Sequence, residues 1–157
     1  MRKNVLLVCL AAIGAAAVSS SVAVAAENWL GTWKLDVSKS RYSAGAPQAQ
    51  TVKFEATPAG IKLTADGVNA DGKPLHSSYT SKFDGKDVAW EGNSAADTAA
   101  PKKIDDNNYE NTWKKSGKTV IVAKVSVSED GKTLTVTETG TDAKGQPVNV
   151  VEVYNRQ

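Results

Sequence analysis

Apolar and polar residues alternate along much of this chain, and this alternation is the feature that most restricts its fold. Successive side chains of a β-strand point to opposite faces, so a period of two predicts strands with one buried face. After residue 26, Thr, Val and Ile together number 29 against five leucines, a composition that favours strands over helices. The alternating segments are residues 33–37, 52–56, 61–64, 75–83, 109–114, 119–127, 133–139 and 148–154.

Tight-turn dipeptides separate most of these segments, which predicts hairpins between consecutive strands. They are Asp66-Gly67, Asp71-Gly72, Asp84-Gly85, Ser116-Gly117, Asp130-Gly131 and Lys144-Gly145. We therefore predict an all-β fold, an antiparallel up-and-down meander of about eight to ten strands. Because no helix is predicted to cover the apolar face, we expect the sheet to close into a small barrel, with a two-layer sandwich as the alternative. Residues 94–101 are mostly small and include a proline, so they are expected to form a loop or an edge strand.

The first 26 residues have the three parts of a secretory signal peptide. Two basic residues give the positive start, residues 5–18 are apolar, and small residues lead to Glu27. We predict cleavage before Glu27, with a cut one residue earlier as the alternative. The apolar part is shorter than the roughly 20 residues of a membrane anchor, and Cys9 lies inside it, too early for a lipid attachment site. These features predict a periplasmic or secreted protein with one domain, residues 27–157.

The charge balance of the predicted mature domain excludes two classes of partner. Loss of Arg2 and Lys3 from 19 basic residues leaves 17, which equals the 17 acidic residues. Long-range attraction to nucleic acid or to an anionic membrane requires a basic excess, so neither partner is expected. The single cysteine is lost with the signal peptide, which leaves no disulfide chemistry. We expect a monomer without a stable membrane anchor.

Both ends of the domain resemble a known superfamily. The segment Gly31-Thr32-Trp33-Lys34-Leu35 resembles the opening strand of lipocalins and, more closely, the start of intracellular fatty-acid-binding proteins. The segment Val150-Val151-Glu152-Val153-Tyr154-Asn155-Arg156 resembles their closing strand. The whole pattern is most similar to exported bacterial lipocalin-like proteins of the calycin type. This resemblance implies that Trp33 closes one end of a barrel and that Arg156 covers its indole ring.

The chain departs from the fatty-acid-binding pattern in two places. Those proteins have a helix pair after the first strand, whereas residues 37–51 lack a helical pattern. They also often hold the ligand carboxylate with an Arg-x-Tyr pair on the last strand, where this chain has Glu152-Val153-Tyr154. An inward acid repels a fatty-acid carboxylate, so neutral or cationic ligands are expected to bind better than fatty acids.

Few residues of the mature domain suggest chemistry. Alternation places His76, the one histidine of this domain, on the face opposite Tyr79 and Phe83, so it is expected on the surface. Asp105 and Asp106 are interpreted as part of a turn, and the sequence shows no other set of metal ligands. We therefore expect no metal or other cofactor. Besides Glu152, alternation turns only Glu138 inward, which leaves little support for an enzyme.

Four residues are predicted to line a binding site. Tyr79, Tyr109, Asn111 and Trp113 share the predicted inner face of the sheet and combine apolar area with a few polar groups, as ligand pockets do. A filled core is the alternative, because small barrels are either packed with side chains or hold one small ligand. We expect a binding protein for a small apolar or aromatic ligand, without catalysis. A solid β-domain acting as an envelope or protein-interaction module is the second interpretation.

Overall fold

The computed structural model describes residues 27–43, 45–142 and 144–157, and the predicted signal peptide lies outside the described residues. The described part contains ten β-strands and no helix. The strands are β1 (Gly31–Leu35), β2 (Ala49–Thr57), β3 (Gly60–Val68), β4 (Pro74–Ser81), β5 (Val88–Ala89), β6 (Thr98–Lys103), β7 (Asn108–Lys115), β8 (Lys118–Val127), β9 (Thr133–Thr141) and β10 (Pro147–Arg156).

The ten strands form one antiparallel sheet in the order β4-β3-β2-β1-β10-β9-β8-β7-β6-β5. Strands that are consecutive in sequence are paired, with the exception of β4 and β5, which form the two edges of the sheet. The first and last strands, β1 and β10, also pair with each other. The two edges meet where Ser78 and Glu91 exchange backbone hydrogen bonds, each 3.0 Å long. The sheet is therefore a nearly closed barrel, as predicted, and not a two-layer sandwich.

Alternation along the strands sets the buried face. On β4, Ser77, Tyr79 and Ser81 are buried, whereas the residues between them are more exposed. On β2, Val52 and Phe54 are buried and face the same interior. Because the sheet has no helix against it in the described part of the chain, these inward faces pack against one another across the barrel.

The end of the barrel near residues 29–33, which we term the closed end, is sealed by aromatic rings. Trp29 and Trp33 are fully buried, and the Trp33 indole N–H donates to the Trp29 carbonyl over 2.8 Å. The Arg156 guanidinium carbon lies 4.1 Å from the centroid of the Trp33 ring. That guanidinium also donates to three backbone carbonyl groups, those of Asn28, Leu30 and Gly131. The predicted pairing of Trp33 with Arg156 is confirmed.

Two local predictions were wrong. Asp66-Gly67 is not a turn but lies inside β3, which approaches β2 so closely that a Cβ on Gly67 would stand 2.2 Å from the Ala49 carbonyl oxygen. The glycine is needed there for space, and the hairpin turn follows at residues 69–73. The first strand ends at Leu35 rather than at Val37, whose side chain is exposed.

The segment at 94–101 is partly a strand. Its second half belongs to β6, which pairs along its length with β7 and on the other side with only the two residues of β5. Pro101 lies in β6, two residues before Lys103, so their backbone nitrogens point to the same side of the strand. The Lys103 N–H donates to the carbonyl of Phe83, which precedes β5 in the chain. The missing N–H of Pro101 therefore faces a stretch without a full neighbouring strand, which is where a sheet tolerates proline.

Candidate functional site

The barrel contains an open cavity of about 630 Å³. It is lined by inward side chains of β2–β4 and β7–β10 and by the connections that include Tyr42, Pro47, Asn69 and Asn93. Trp29 and Trp33 are not among its lining residues, so the cavity occupies the part of the barrel away from the closed end. The interior of this barrel is therefore not completely filled by its own side chains.

One wall of the cavity is aromatic. The Trp90 and Trp113 rings meet edge to face, with centroids 4.8 Å apart and planes 84° apart. Tyr79 packs on the other side of Trp90 at 5.2 Å in a similar edge-to-face arrangement. Such pairs are more favourable than their buried area alone and hold the rings in fixed orientations. The wall is thus an apolar surface of rings packed edge to face.

The structure brings together three of the four predicted site residues. Tyr109, Asn111 and Trp113 line the cavity. Tyr79 is buried but is not a lining residue, and its hydroxyl accepts a hydrogen bond of 3.4 Å from the Asn111 side-chain amide. Tyr79 therefore contacts Asn111 and Trp90 from outside the cavity lining and helps to position them. A role for these residues in ligand binding stays a prediction.

Three buried polar atoms of this wall have no hydrogen-bond partner among the described residues. They are the indole nitrogens of Trp90 and Trp113 and the side-chain oxygen of Asn111. A buried polar group without a partner costs about 1–3 kcal/mol. These three atoms are themselves covered by neighbouring atoms, so a polar group of a ligand could reach them only if the surrounding side chains moved.

Sequence reasoning did not find Trp90. It follows the two-residue strand β5 and precedes a loop, so no alternating segment surrounds it. Its aromatic character was the only signal, and that signal does not distinguish a cavity wall from a packed core.

Two acidic side chains line the cavity on adjacent strands, two and three strands away from β7. Glu138 on β9 pairs in register with Val150, and Glu152 on β10 pairs with Val136. This register places the two carboxylates diagonally on the same face of adjacent strands, within reach of each other. Both line the cavity, as alternation predicted.

The two acids have different neighbours. The Tyr154 hydroxyl donates to one Glu152 oxygen over 2.7 Å, and the Tyr42 hydroxyl donates to the other over 3.2 Å. Burial raises the pKa of Glu152, and these two hydrogen bonds partly offset that rise. Burial, together with the charge of Glu152, raises the pKa of Glu138 to about 8. The raised pKa of Glu138 keeps that carboxyl mainly protonated at neutral pH.

The cavity has no opposing positive side chain. None of its described lining residues is a lysine or an arginine. His76 lies at the mouth, where its Nδ1 is 2.6 Å from an Asp66 oxygen and its side chain is 68% exposed. The surface position predicted for His76 is confirmed, and acidic rather than basic side chains line the interior of the cavity.

Asp105 and Asp106, which the sequence places in a turn, are held by local contacts. Asp105 accepts hydrogen bonds from the Asn107 backbone and the Asn108 side chain, and Asp106 pairs with Lys103. Across residues 27–43, 45–142 and 144–157, no three His, Cys, Asp or Glu side chains are grouped so as to hold a metal ion. A helix long and apolar enough to cross a membrane is not found in the same residues.

Comparison with known proteins shows similarity at the level of structure and not of sequence. A scan against protein-family models and a search of curated proteins found no match to this chain. Among solved structures, the chain is similar to zebrafish ileal bile acid-binding protein, which was crystallised in complex with cholic acid. The two chains share 9% sequence identity with a TM-score of 0.47, over 83% of this chain and 99% of that chain. The barrel fold described above rests on the strand order and register of this chain itself.

Proposed function

We propose that this chain is an exported protein that binds a small apolar or aromatic molecule in its barrel and does not catalyse a reaction. The observation that carries the proposal is the cavity of about 630 Å³ beside a wall of aromatic rings packed edge to face. Cavities of roughly 300–1,000 Å³ with mainly apolar walls and a few polar groups are typical of small-molecule sites. The export part of the proposal depends on the signal-like segment at residues 1–26.

The distribution of polar groups supports binding. Val52, Phe54 and Leu63 contribute apolar area to the lining, whereas Glu138 and Glu152 contribute polar groups. Burial of apolar ligand surface would provide most of the affinity, at about 25 cal/mol per Å². The polar groups would select the orientation of the ligand, since any left unpaired reduces affinity.

The second interpretation, a solid β-domain that acts as an interaction module, is less well supported. It requires a filled interior, and the cavity lies where that filling would have to be. Catalysis also has little support, because Glu152 is engaged by two tyrosine hydroxyls and His76 is paired with Asp66 at the mouth.

Binding can be tested by titration with apolar probes of three charges. We expect a saturable change in tryptophan fluorescence on titration with decan-1-ol or decylammonium, with weaker binding of decanoate because two acids line the cavity. Trp113→Ala should weaken binding about tenfold or more, because it removes a large apolar contact, whereas Trp113→Phe should retain most of the affinity.

Lys118→Ala, on the exposed start of β8, is the matched surface control. Circular dichroism should show that every variant stays folded. Failure of all three probes to saturate a folded protein would rule out the pocket, and preference for decanoate would contradict the charge argument.

A further inference from the structure

We infer that the Glu138–Glu152 pair recognises a protonated amine, so that the ligand is an apolar molecule carrying an ammonium group. This inference rests on the proposed binding function and specifies the ligand class of the same cavity. It follows from the geometry of the two carboxylates, from the absence of a lysine or arginine in the described lining, and from the apolar residues in the rest of that lining.

The first step concerns which carboxylate is free to bind. Both oxygens of Glu152 accept a hydrogen bond, from Tyr42 and Tyr154. No described residue donates a hydrogen bond to the side chain of Glu138, although this side chain lines the cavity. Glu138 is therefore the open acceptor, and Glu152 is a carboxylate held in place beside it.

The second step concerns charge. Two carboxylates on one face of adjacent strands repel each other, and burial adds a desolvation penalty that is repaid only by a partner of opposite charge. Lysine and arginine are missing from the described lining, so this chain does not supply that partner inside the cavity. An ammonium group offers three donors and one positive charge. It can contact both acids at once, whereas a carboxylate ligand would bring a further negative charge beside them.

The third step concerns the shape of the ligand. Val136 and Val150, the register partners of the two acids, also line the cavity and give the acidic pair apolar neighbours. Farther along the lining lie Trp90 and Trp113. A molecule with its ammonium at the acids would extend an apolar or aromatic body toward the indole rings.

The fourth step is a proton linkage. Burial and the charge of Glu152 keep a proton on Glu138 at pH 7, with a pKa of about 8. A bound ammonium would favour the ionised carboxylate, so binding should release that proton. The titratable groups that face the pair are Tyr42 on the connection before β2 and Tyr154 on β10. The other titratable lining residues, His76 and Tyr109, lie elsewhere in the cavity lining.

The test compares ligands of matched length. Decylammonium, decan-1-ol and decanoate are titrated into the protein at pH 7 by calorimetry, in phosphate and in Tris buffer. We expect decylammonium to bind about ten- to hundredfold more tightly than decan-1-ol, the range expected for one charge-assisted hydrogen-bonded contact. The heat should differ between the buffers by an amount that corresponds to the release of up to about one proton.

Variants assign the preference to the acids. Glu138→Gln keeps the shape of the side chain and should reduce the preference for decylammonium over decan-1-ol about tenfold, with decan-1-ol affinity little changed. Glu129→Gln, in the exposed turn after β8, removes the same charge from the surface and should have no such effect. The buffer comparison on the unaltered protein needs no variant, so the inference can be tested even if Glu138→Gln folds poorly.

The outcomes separate this inference from the function on which it rests. Equal affinity for decylammonium and decan-1-ol would overturn the amine inference and leave small-molecule binding intact. The same holds for a preference that survives Glu138→Gln, or for binding without proton release. Failure of all three probes to bind would instead overturn the proposed binding function.

Discussion

The two ends of the barrel are built from the same strands but use their polar groups differently. At the closed end, the Trp33 indole N–H has an acceptor in Trp29, and the Arg156 guanidinium covers the ring and binds three carbonyl groups. In the cavity, Trp113 lines open space and no cationic side chain of the described lining covers its ring. An unpartnered indole nitrogen does not distinguish the ends, because Trp29 at the closed end and Trp113 in the cavity both have one. The same residue type thus serves as a sealed core at one end and as an exposed wall at the other.

This difference shows how one small domain can be both stable and able to bind. The closed end buries aromatic area completely, which stabilises the fold at about 25 cal/mol per Å². The cavity leaves apolar area uncovered and brings two acids, Glu138 and Glu152, out of bulk water, which reduces stability. Residues that reduce the stability of a fold in this way are candidates for function.

The largest effect is expected at the closed end. Trp33→Ala should reduce the free energy of unfolding by about 3–5 kcal/mol, because it deletes a fully buried ring and the stacking surface of Arg156. Trp113→Ala should cost clearly less, because its ring already faces open space. Chemical denaturation of both variants measures this difference. A loss below about 1 kcal/mol for Trp33→Ala, or equal losses for the two, would contradict the distinction between the ends.

The next effect is a pH dependence that originates in the cavity. The pKa of Glu138 is raised from 4.5 to about 8, so between these values the folded protein binds a proton that the unfolded chain releases. The contribution of Glu138 to the free energy of unfolding is therefore fully present below pH 4.5 and decreases as the pH rises toward 8. At about 1.4 kcal/mol per pH unit, the loss by pH 8 is on the order of 4 kcal/mol.

Denaturation at pH 5 and pH 8 measures that loss, and Glu138→Gln should remove most of it. The variant should therefore be more stable than the unaltered protein at pH 8. Equal stability at both pH values, or a protein that gains stability as the pH rises, would show that the cavity does not hold Glu138 in its neutral form.

Local residue patterns were sufficient to predict much of this architecture. Alternation identified the inward faces of the long strands, including the inward position of Glu138 and Glu152. The resemblance at the two ends of the domain predicted that Arg156 covers the Trp33 ring, as the structure shows. Each of these features depends on residues close in sequence or on the meeting of the first and last strands, which a closed meander requires.

Other features depend on contacts between distant strands and were not predictable in the same way. Gly67 resembled a turn glycine, but the close approach of β2 and β3 decides its conformation. Strand β6 contains a proline and forms because β7 offers it a partner. Whether the interior is open depends on how side chains from facing strands meet, and alternation gives their direction but not the space between them.

The smallest effect is expected at the rim of the cavity, and it sharpens the comparison by separating the rim from the interior. His76 and Asp66 face each other on neighbouring strands with their side chains 68% and 63% exposed. Water and salt screen such pairs, which contribute between about 0 and 1 kcal/mol. His76→Ala should change the free energy of unfolding by less than about 0.5 kcal/mol and the affinity for decylammonium by less than about twofold. Asp66→Asn is the matched variant for the other partner, and the same denaturation and calorimetry apply. A tenfold loss of affinity in either variant would extend the binding site to the rim, because a screened surface pair at the mouth cannot act so strongly on a ligand held inside.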